Sequence, residues 1–322
     1  MKSWIIKNTR KMELLTVNDE ETPLKNQAKI KIIRAGICSN DIAMWNGTEQ
    51  QPIIPSKIAV GLVSNSDDDS LKKGQRVMLS PYSKLAKDDS YTKSLDCDGY
   101  LSDYAVVDTE FIYPMPDGIS DEEITFIDDI ALALKAYTKL DVDVADYVLL
   151  YGASTTNLIF AQLCRYYQSI PVIIDDDNDR LAKAIELGVD YTINTLEENA
   201  EKTIKELTSG KMANFLVVDT DNFQNFTDFL PSLTLNAKVA LTTLCHKSNS
   251  YKCDLAELLS KNITIYAVKD GEGEISTAIN MLATKTVHVT PLINQVVDFD
   301  KIVEVFQDLS GRQNCFKTIV KC

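Results

Sequence analysis

The sequence predicts an α/β protein of two domains, one β-rich, the other a doubly wound parallel sheet. Three observations predict it. The first third is a series of short strand-like runs broken by turns. From Tyr147 onward, apolar strand-like runs alternate with helix-length segments, as in a parallel sheet covered on both faces. The last fifty or so residues (270–322) depart from that alternation, with a helix, strand, helix and strand of their own.

Each element has a local warrant. Residues 29–33 alternate in polarity and end at Ala35-Gly36. Residues 58–63 are apolar, and Lys72-Lys73-Gly74-Gln75 is a turn before the strand 76–79. Residues 99–107 read as another strand, and 114–118, with two prolines and a glycine, as a breaker. Ser120 followed by Asp121, Glu122 and Glu123 is a helix cap with an acidic first turn, and Ile130, Leu134 and Tyr137 continue at helical spacing. Strands are expected at 147–151, 171–175, 191–193, 215–219, 237–243 and 263–268. Helices are expected at 158–165, 180–187 and 199–207. The return segment reads as helix 274–282, strand 292–297, helix 300–309 and strand 316–320.

Composition bounds the function. Apolar content of 45% and charged content of 25% are those of a water-soluble globular protein. A net charge of −14 disfavours nucleic acid, which calls for clustered Lys and Arg. No apolar run reaches membrane-spanning length and no leader-like start is seen, so a cytoplasmic protein is expected. Seven widely spaced cysteines include no C-x-x-C pair, which fits reduced thiols better than a zinc knuckle.

The most informative stretch is Gly152-Ala153-Ser154-Thr155-Thr156-Asn157, between a strand-like run and a helical pattern. That context is where a dinucleotide fingerprint, G-x-G-x-x-G, sits. Gly152 keeps the tight turn, whereas Ser154 and Asn157 replace the glycines of close phosphate approach and close helix packing. Ser154, Thr155 and Thr156 carry donors for a phosphate at a helix N-terminus. Taken alone, the hexapeptide reads first as a helix cap. Asp175 ends the next strand about 20 residues on, where a carboxylate binds the ribose 2′-OH of NAD and repels the 2′-phosphate of NADP. It reads equally as a loop acid beside Asp176 and Asp177.

The order of motifs resembles the medium-chain dehydrogenase/reductase family, which includes zinc alcohol and polyol dehydrogenases. Ala35-Gly36-Ile37-Cys38-Ser39-Asn40-Asp41 resembles its A-G-I-C-G-S-D, and Gly74-Gln75-Arg76-Val77 its G-D-R-V turn. Asp98-Gly99-Tyr100-Leu101-Ser102-Asp103-Tyr104 resembles D-G-G-F-A-E-Y, and Met115-Pro116-Asp117-Gly118-Ile119-Ser120 resembles L-P-D-G-L-S. Of the 12 glycines, Gly36, Gly47, Gly61, Gly74, Gly99, Gly118, Gly152 and Gly188 fall on family glycine positions. The resemblance implies a GroES-like β-barrel catalytic domain (residues 1–122 and 270–322) and a Rossmann domain (123–269), with the cleft between them.

The departures fall on the chemistry. Cys38 keeps the first zinc-ligand position, but Ser56-Lys57-Ile58 stands where the family has G-H-E, and Asp128 lies near the third. Catalytic zinc takes three protein ligands plus water, so Cys38 and Asp128 alone fall short and zinc is not expected. Only Cys97 stands in the region of the family's structural-zinc lobe. Lys57 becomes a candidate electrophile, or else a solvated cation or a partner of Asp41. Asn40 takes the place of the proton-shuttling hydroxyl residue. Trp45 falls where the family lines its substrate cleft, or is core. Asp219, Asp221 and the segment 242–245 replace glycine-rich loops that border the family's nicotinamide pocket.

The expectation is an NAD(H)-dependent, zinc-independent oxidoreductase acting on an alcohol or carbonyl group of a small molecule, and a homodimer without nucleic-acid or membrane partners. A zinc polyol dehydrogenase with altered ligands and a non-enzymatic binding protein on the same fold are the alternatives.

Overall fold

The computed structural model describes residues 1–16, 22–47, 52–86, 89–94, 97–219, 226–242, 252–310 and 316–322. Thr220, Asp221, Thr243, Leu244, Cys245, His246 and Cys315 lie outside the described residues.

Two compact units make up the chain, Met1–Ile127 with Leu292–Cys322, and Asp128–Pro291. The first unit opens with the hairpin β1 (Lys2–Asn8) and β2 (Lys11–Thr16). The long strand β3 (Gln27–Ile37), helix α1 (Ser39–Trp45) and β4 (Ile58–Ser66) follow. Then come β5 (Arg76–Leu79), the hairpin β6 (Tyr82–Ala86) and β7 (Asp89–Thr92), β8 (Tyr104–Asp108) and β9 (Ile112–Pro114). After helix α2 (Asp121–Ile124) the chain passes into α3 (Ile127–Leu140).

The second unit alternates as expected: β10 (Tyr147–Tyr151), α4 (Thr155–Tyr166), β11 (Ile170–Asp175), α5 (Asn178–Glu186), β12 (Tyr191–Asn194) and α6 (Ala200–Leu207). It continues through β13 (Ala213–Val218), β14 (Leu233–Leu241), α7 (Leu255–Lys261), β15 (Thr264–Ala267) and α8 (Ile275–Ala283). The chain returns to the first unit with β16 (Ile293–Asp298), α9 (Ile302–Leu309) and β17 (Lys317–Lys321).

The seven-stranded sheet of the first unit runs β16-β17-β3-β4-β5-β9, with β8 also paired to β3. Only its β16–β17 pair is parallel. Ile30, Ile32, Val63, Val77 and Leu79 form one buried cluster, and Ile37, Met44, Trp45 and Phe306 belong to another. The second unit is one parallel sheet in the order β12-β11-β10-β13-β14-β15. Its inner strands are short apolar runs because helices cover a parallel sheet on both faces. Leu149, Val172, Ile174, Leu216, Val218 and Val239 are its buried centre.

Two sequence expectations shift. Residues 99–103 do not extend β8: Gly99 lies so close to residues 54–56 that an added Cβ would meet three backbone carbonyl oxygens within 2.8 Å. The amides of Gly99, Tyr100 and Leu101 bond those carbonyls instead of a neighbouring strand. Residues 270–291, expected with the first domain, cluster with the second unit. Lys135 on α3 bonds Asp270 at 2.6 Å, Gly271 abuts the backbone of Ala131 and Leu132, and Gln162 on α4 bonds the His288 backbone.

Candidate active site

In the first unit the site residues gather around Asp41, a fully buried carboxylate. α1 begins at Cys38 because Asp41, three residues on, accepts the Cys38 amide at 2.9 Å and thereby satisfies a donor at the helix start. The same oxygen accepts the Cys38 thiol at 3.3 Å. The other oxygen accepts the Ser56 amide at 2.7 Å and the Ser94 hydroxyl at 2.8 Å. Burial of a carboxylate is tolerable only when such bonds replace water. Both Ser56 and Ser94 have positive φ, +75° and +62°. Ser56, which stands where the resemblance places a glycine, holds a left-handed conformation that glycine adopts freely, and its hydroxyl bonds the Ile58 carbonyl at 3.0 Å.

Asp41 is therefore occupied by Cys38, Ser56 and Ser94 rather than by Lys57. Lys57 and Asn40 are half-buried, on the segment before β4 and on α1. Trp45 is core: it is 1% exposed and its ring packs against Phe306 at 5.5 Å. Asp128 is buried in the first turn of α3 and belongs to the second unit.

In the second unit the cofactor candidates come together at the carboxyl ends of β10, β11, β13 and β14, where the sheet order reverses. Open α/β sheets bind ligands at such a switch point. Gly152 turns there with φ +90°. Ser154 caps α4, its Oγ accepting the Asn157 amide at 3.1 Å. Of the first three amides of α4, those of Thr155 and Thr156 remain without an intrahelical acceptor.

Two carboxylates crowd this turn. Asp175 accepts the Ala153 amide at 2.6 Å and the Asp177 amide at 3.0 Å, and Arg180 lies 3.8 Å away. Burial raises the Asp175 pKa, against the lowering effect of these partners. Asp219 accepts the Ser154 hydroxyl through one oxygen and the Thr242 hydroxyl at 2.9 Å through the other. Asn157, in place of the third glycine, is fully buried and its amide bonds the carbonyls of Tyr151 and Gly152 at 3.0 and 2.8 Å. Its Oδ1 is buried without a partner among the described residues.

Sequence reasoning missed the Asp41 cluster and the locking roles of Asn157 and Asp219. The spacing Cys38-x-x-Asp41 carried the capping signal for the first. Nothing local announced Ser94, which is 53 residues from Asp41.

Residues 24–117 match the model of the alcohol dehydrogenase GroES-like domain, and residues 158–284 that of the zinc-binding dehydrogenase. The chain belongs to the medium-chain dehydrogenase/reductase family, among its zinc alcohol and polyol dehydrogenase-like members. An uncharacterized zinc-type alcohol dehydrogenase-like protein of Haemophilus influenzae is 25% identical over 305 residues, 88% of either chain. Sorbitol dehydrogenase of Ovis aries is 23% identical, covering 93% of this chain and 90% of that protein. Among solved structures, a short chain alcohol dehydrogenase from E. coli, complexed with NADH, superposes with a TM-score of 0.90 at 19% identity, covering 100% of this chain and 99% of that one. Galactitol-1-phosphate dehydrogenase from Escherichia coli superposes at 0.87 and 19% identity, with 100% of both chains covered. Among the described residues, no helix is long and apolar enough to cross a membrane.

Proposed function

We propose that this chain is a zinc-independent, dinucleotide-dependent oxidoreductase of the alcohol/polyol dehydrogenase type, acting on an alcohol or carbonyl group of a small molecule. The observation that carries it is the turn at the switch point, where Gly152, the α4 N-terminus and Asp175 meet at the carboxyl edge of the sheet. The NADH complex of the E. coli relative supports the same reading. When bound, the dinucleotide supplies or accepts the hydride. The Thr155 and Thr156 amides would hold a phosphate, and Asp175 would accept from a ribose hydroxyl with its remaining lone pairs. That carboxylate favours NAD(H) over NADP(H), although the Arg180 guanidinium 3.8 Å away tempers the repulsion of a 2′-phosphate.

Zinc independence rests on the donor chemistry. Lys57 stands in place of the histidine and repels a cation unless it deprotonates. The Cys38 thiol spends its proton on Asp41, whereas a metal ligand must be a thiolate. Among the described residues, no three His, Cys, Asp or Glu side chains form a metal-holding group. Lys57 is the proposed electrophile for the carbonyl and Asn40 the proposed hydrogen-bonding group for the alcohol oxygen.

Isothermal titration with NADH and NADPH, with elemental analysis of the same protein, tests the reading. Binding of NADH tighter than NADPH, with no stoichiometric zinc, is expected. One zinc per chain, lost on Cys38→Ala, would move the altered-ligand polyol dehydrogenase to first place. The non-enzymatic reading is favoured by one observation, the occupation of turn donors by Asp175 and Asp219. Absence of both zinc and nucleotide binding would select it.

A further inference from the structure

We propose that Asp219 is a specificity-determining residue that sets how tightly the turn at Gly152 holds a phosphate, by competing with the ligand for the Ser154 hydroxyl. The proposal rests on the dinucleotide reading above.

A helix N-terminus binds an anion through its unpaired amides and hydroxyls. Here the Ala153 amide goes to Asp175 and the Asn157 amide to Ser154 Oγ. The Ser154 hydroxyl goes to Asp219, as does that of Thr242. Among the described residues, the amides of Ser154, Thr155 and Thr156 and the two threonine hydroxyls remain for an anionic ligand, and the Ser154 hydroxyl does not. Asp219 also places a negative charge at the positive end of α4, the position a phosphate would take. Glycine at position 154 would leave Asp219 without its hydroxyl partner at the turn. Because Ser154 stands there, Asp219 is tied across the turn from β13 to α4.

The ligand chemistry affected is a diphosphate, whichever base or nicotinamide it carries. Adenosine, which has no phosphate, reports the rest of the pocket. The test measures binding of NADH, ADP-ribose and adenosine by the wild type, Asp219→Asn, Ser154→Ala and Asp190→Asn. Asp190 is exposed in the same unit, so its variant makes the same charge change away from the turn. Thermal melts check that each variant folds. Ser154→Ala removes the contested hydroxyl and serves as the second arm should Asp219→Asn fail to fold.

Asp219→Asn is expected to tighten NADH and ADP-ribose about tenfold, on the scale of one charge-assisted hydrogen bond, with adenosine and Asp190→Asn unchanged. Ser154→Ala is expected to loosen or leave unchanged the same two ligands, and to erase the gain when combined with Asp219→Asn. Equal tightening by Asp190→Asn would overturn the proposal, because general electrostatics would then suffice. So would unchanged or weaker diphosphate binding by Asp219→Asn, or persistence of its gain without the Ser154 hydroxyl. Binding of NADH by Asp219→Asn but not by the wild type would support Asp219 as the determinant and remove the dinucleotide reading for the native chain. No binding of NADH, ADP-ribose or adenosine to any form would end both.

Discussion

The two units each bury a carboxylate at a turn where the family resemblance leads one to expect glycine, and the carboxylates do different work. Asp41 is fully buried and accepts two backbone amides, those of Cys38 and of Ser56, the latter 15 residues away, along with two side-chain donors. Among the described residues, the Asp219 carboxylate accepts only hydroxyls, and these can rotate to other partners. The first holds backbone in place, at a turn where Ser56 adopts a left-handed conformation. The second engages the hydroxyl of Ser154, the residue that caps the start of α4. What a buried carboxylate does therefore depends on whether its donors are fixed main chain or mobile side chains.

The largest expected effect follows from that contrast. Asp41→Ala strands the amides of Cys38 and Ser56, each at about 1–3 kcal/mol when buried and unpaired, so a loss of about 2–6 kcal/mol is expected. Asp219→Ala strands no amide among the described residues, and its cost should stay within about 1 kcal/mol. Urea denaturation of the two variants measures both. Comparable losses would show that the main-chain and side-chain distinction does not govern these sites.

Gly99→Ala probes the same barrel cluster from behind. An added Cβ would lie 2.3 Å from the Ser56 carbonyl oxygen and 2.5 Å from that of Pro55, both backbone atoms that cannot swing aside. A cost of about 1–3 kcal/mol is expected, as for overpacking elsewhere. Ser56→Gly should be nearly neutral. It relieves a left-handed serine, worth about 1–2 kcal/mol, and loses a hydroxyl bond worth about 0.5–1.5 kcal/mol. Calorimetric melting of both variants checks the ranking, and a Ser56→Gly loss as large as that of Gly99→Ala would contradict it.

The fold was legible because its signals are local and repeated. Tyr147 to Tyr151 is a short apolar run between turn residues and becomes β10 over the same span. Ser120 and Glu123 form the reciprocal cap their spacing predicts, at 2.9 and 3.2 Å. The candidate site was legible only in part. Cys38, Lys57 and Ser154 stand out by departing from a pattern, yet their roles depend on partners far along the chain. Ser154 meets Asp219 across 65 residues, and Asp41 meets Ser94 across 53. No periodicity or spacing encodes such pairs. Trp45 shows the converse: its position in a segment that, by the resemblance, lines the family's cleft gave no sign of which way the ring turns, and packing against Phe306 puts it in the core.

The smallest effect concerns pH and sharpens the comparison, because one carboxyl in each unit should respond with opposite sign. Burial pushes the Glu122 carboxyl up, but the Arg34 hydrogen bond at 2.7 Å and its charge outweigh that and hold it below the usual range. A depressed folded value means that the stabilisation is complete above the ordinary carboxylate pKa and fades as pH falls through the folded one. The pair is partly exposed, so its worth is at most about 1 kcal/mol. Asp175 is the reverse. Burial raises its pKa despite the Ala153 amide and Arg180, so its ionised form costs stability at neutral pH. Its contribution grows as pH falls through that raised value and is complete below the ordinary one. Unfolding free energies of the wild type minus those of Glu122→Gln should therefore shrink on acidification, whereas wild type minus Asp175→Asn should rise. Parallel slopes for the two differences would mean that burial does not dominate at the switch point, and that the partners of Asp175 already stabilise its charge as Arg34 does for Glu122.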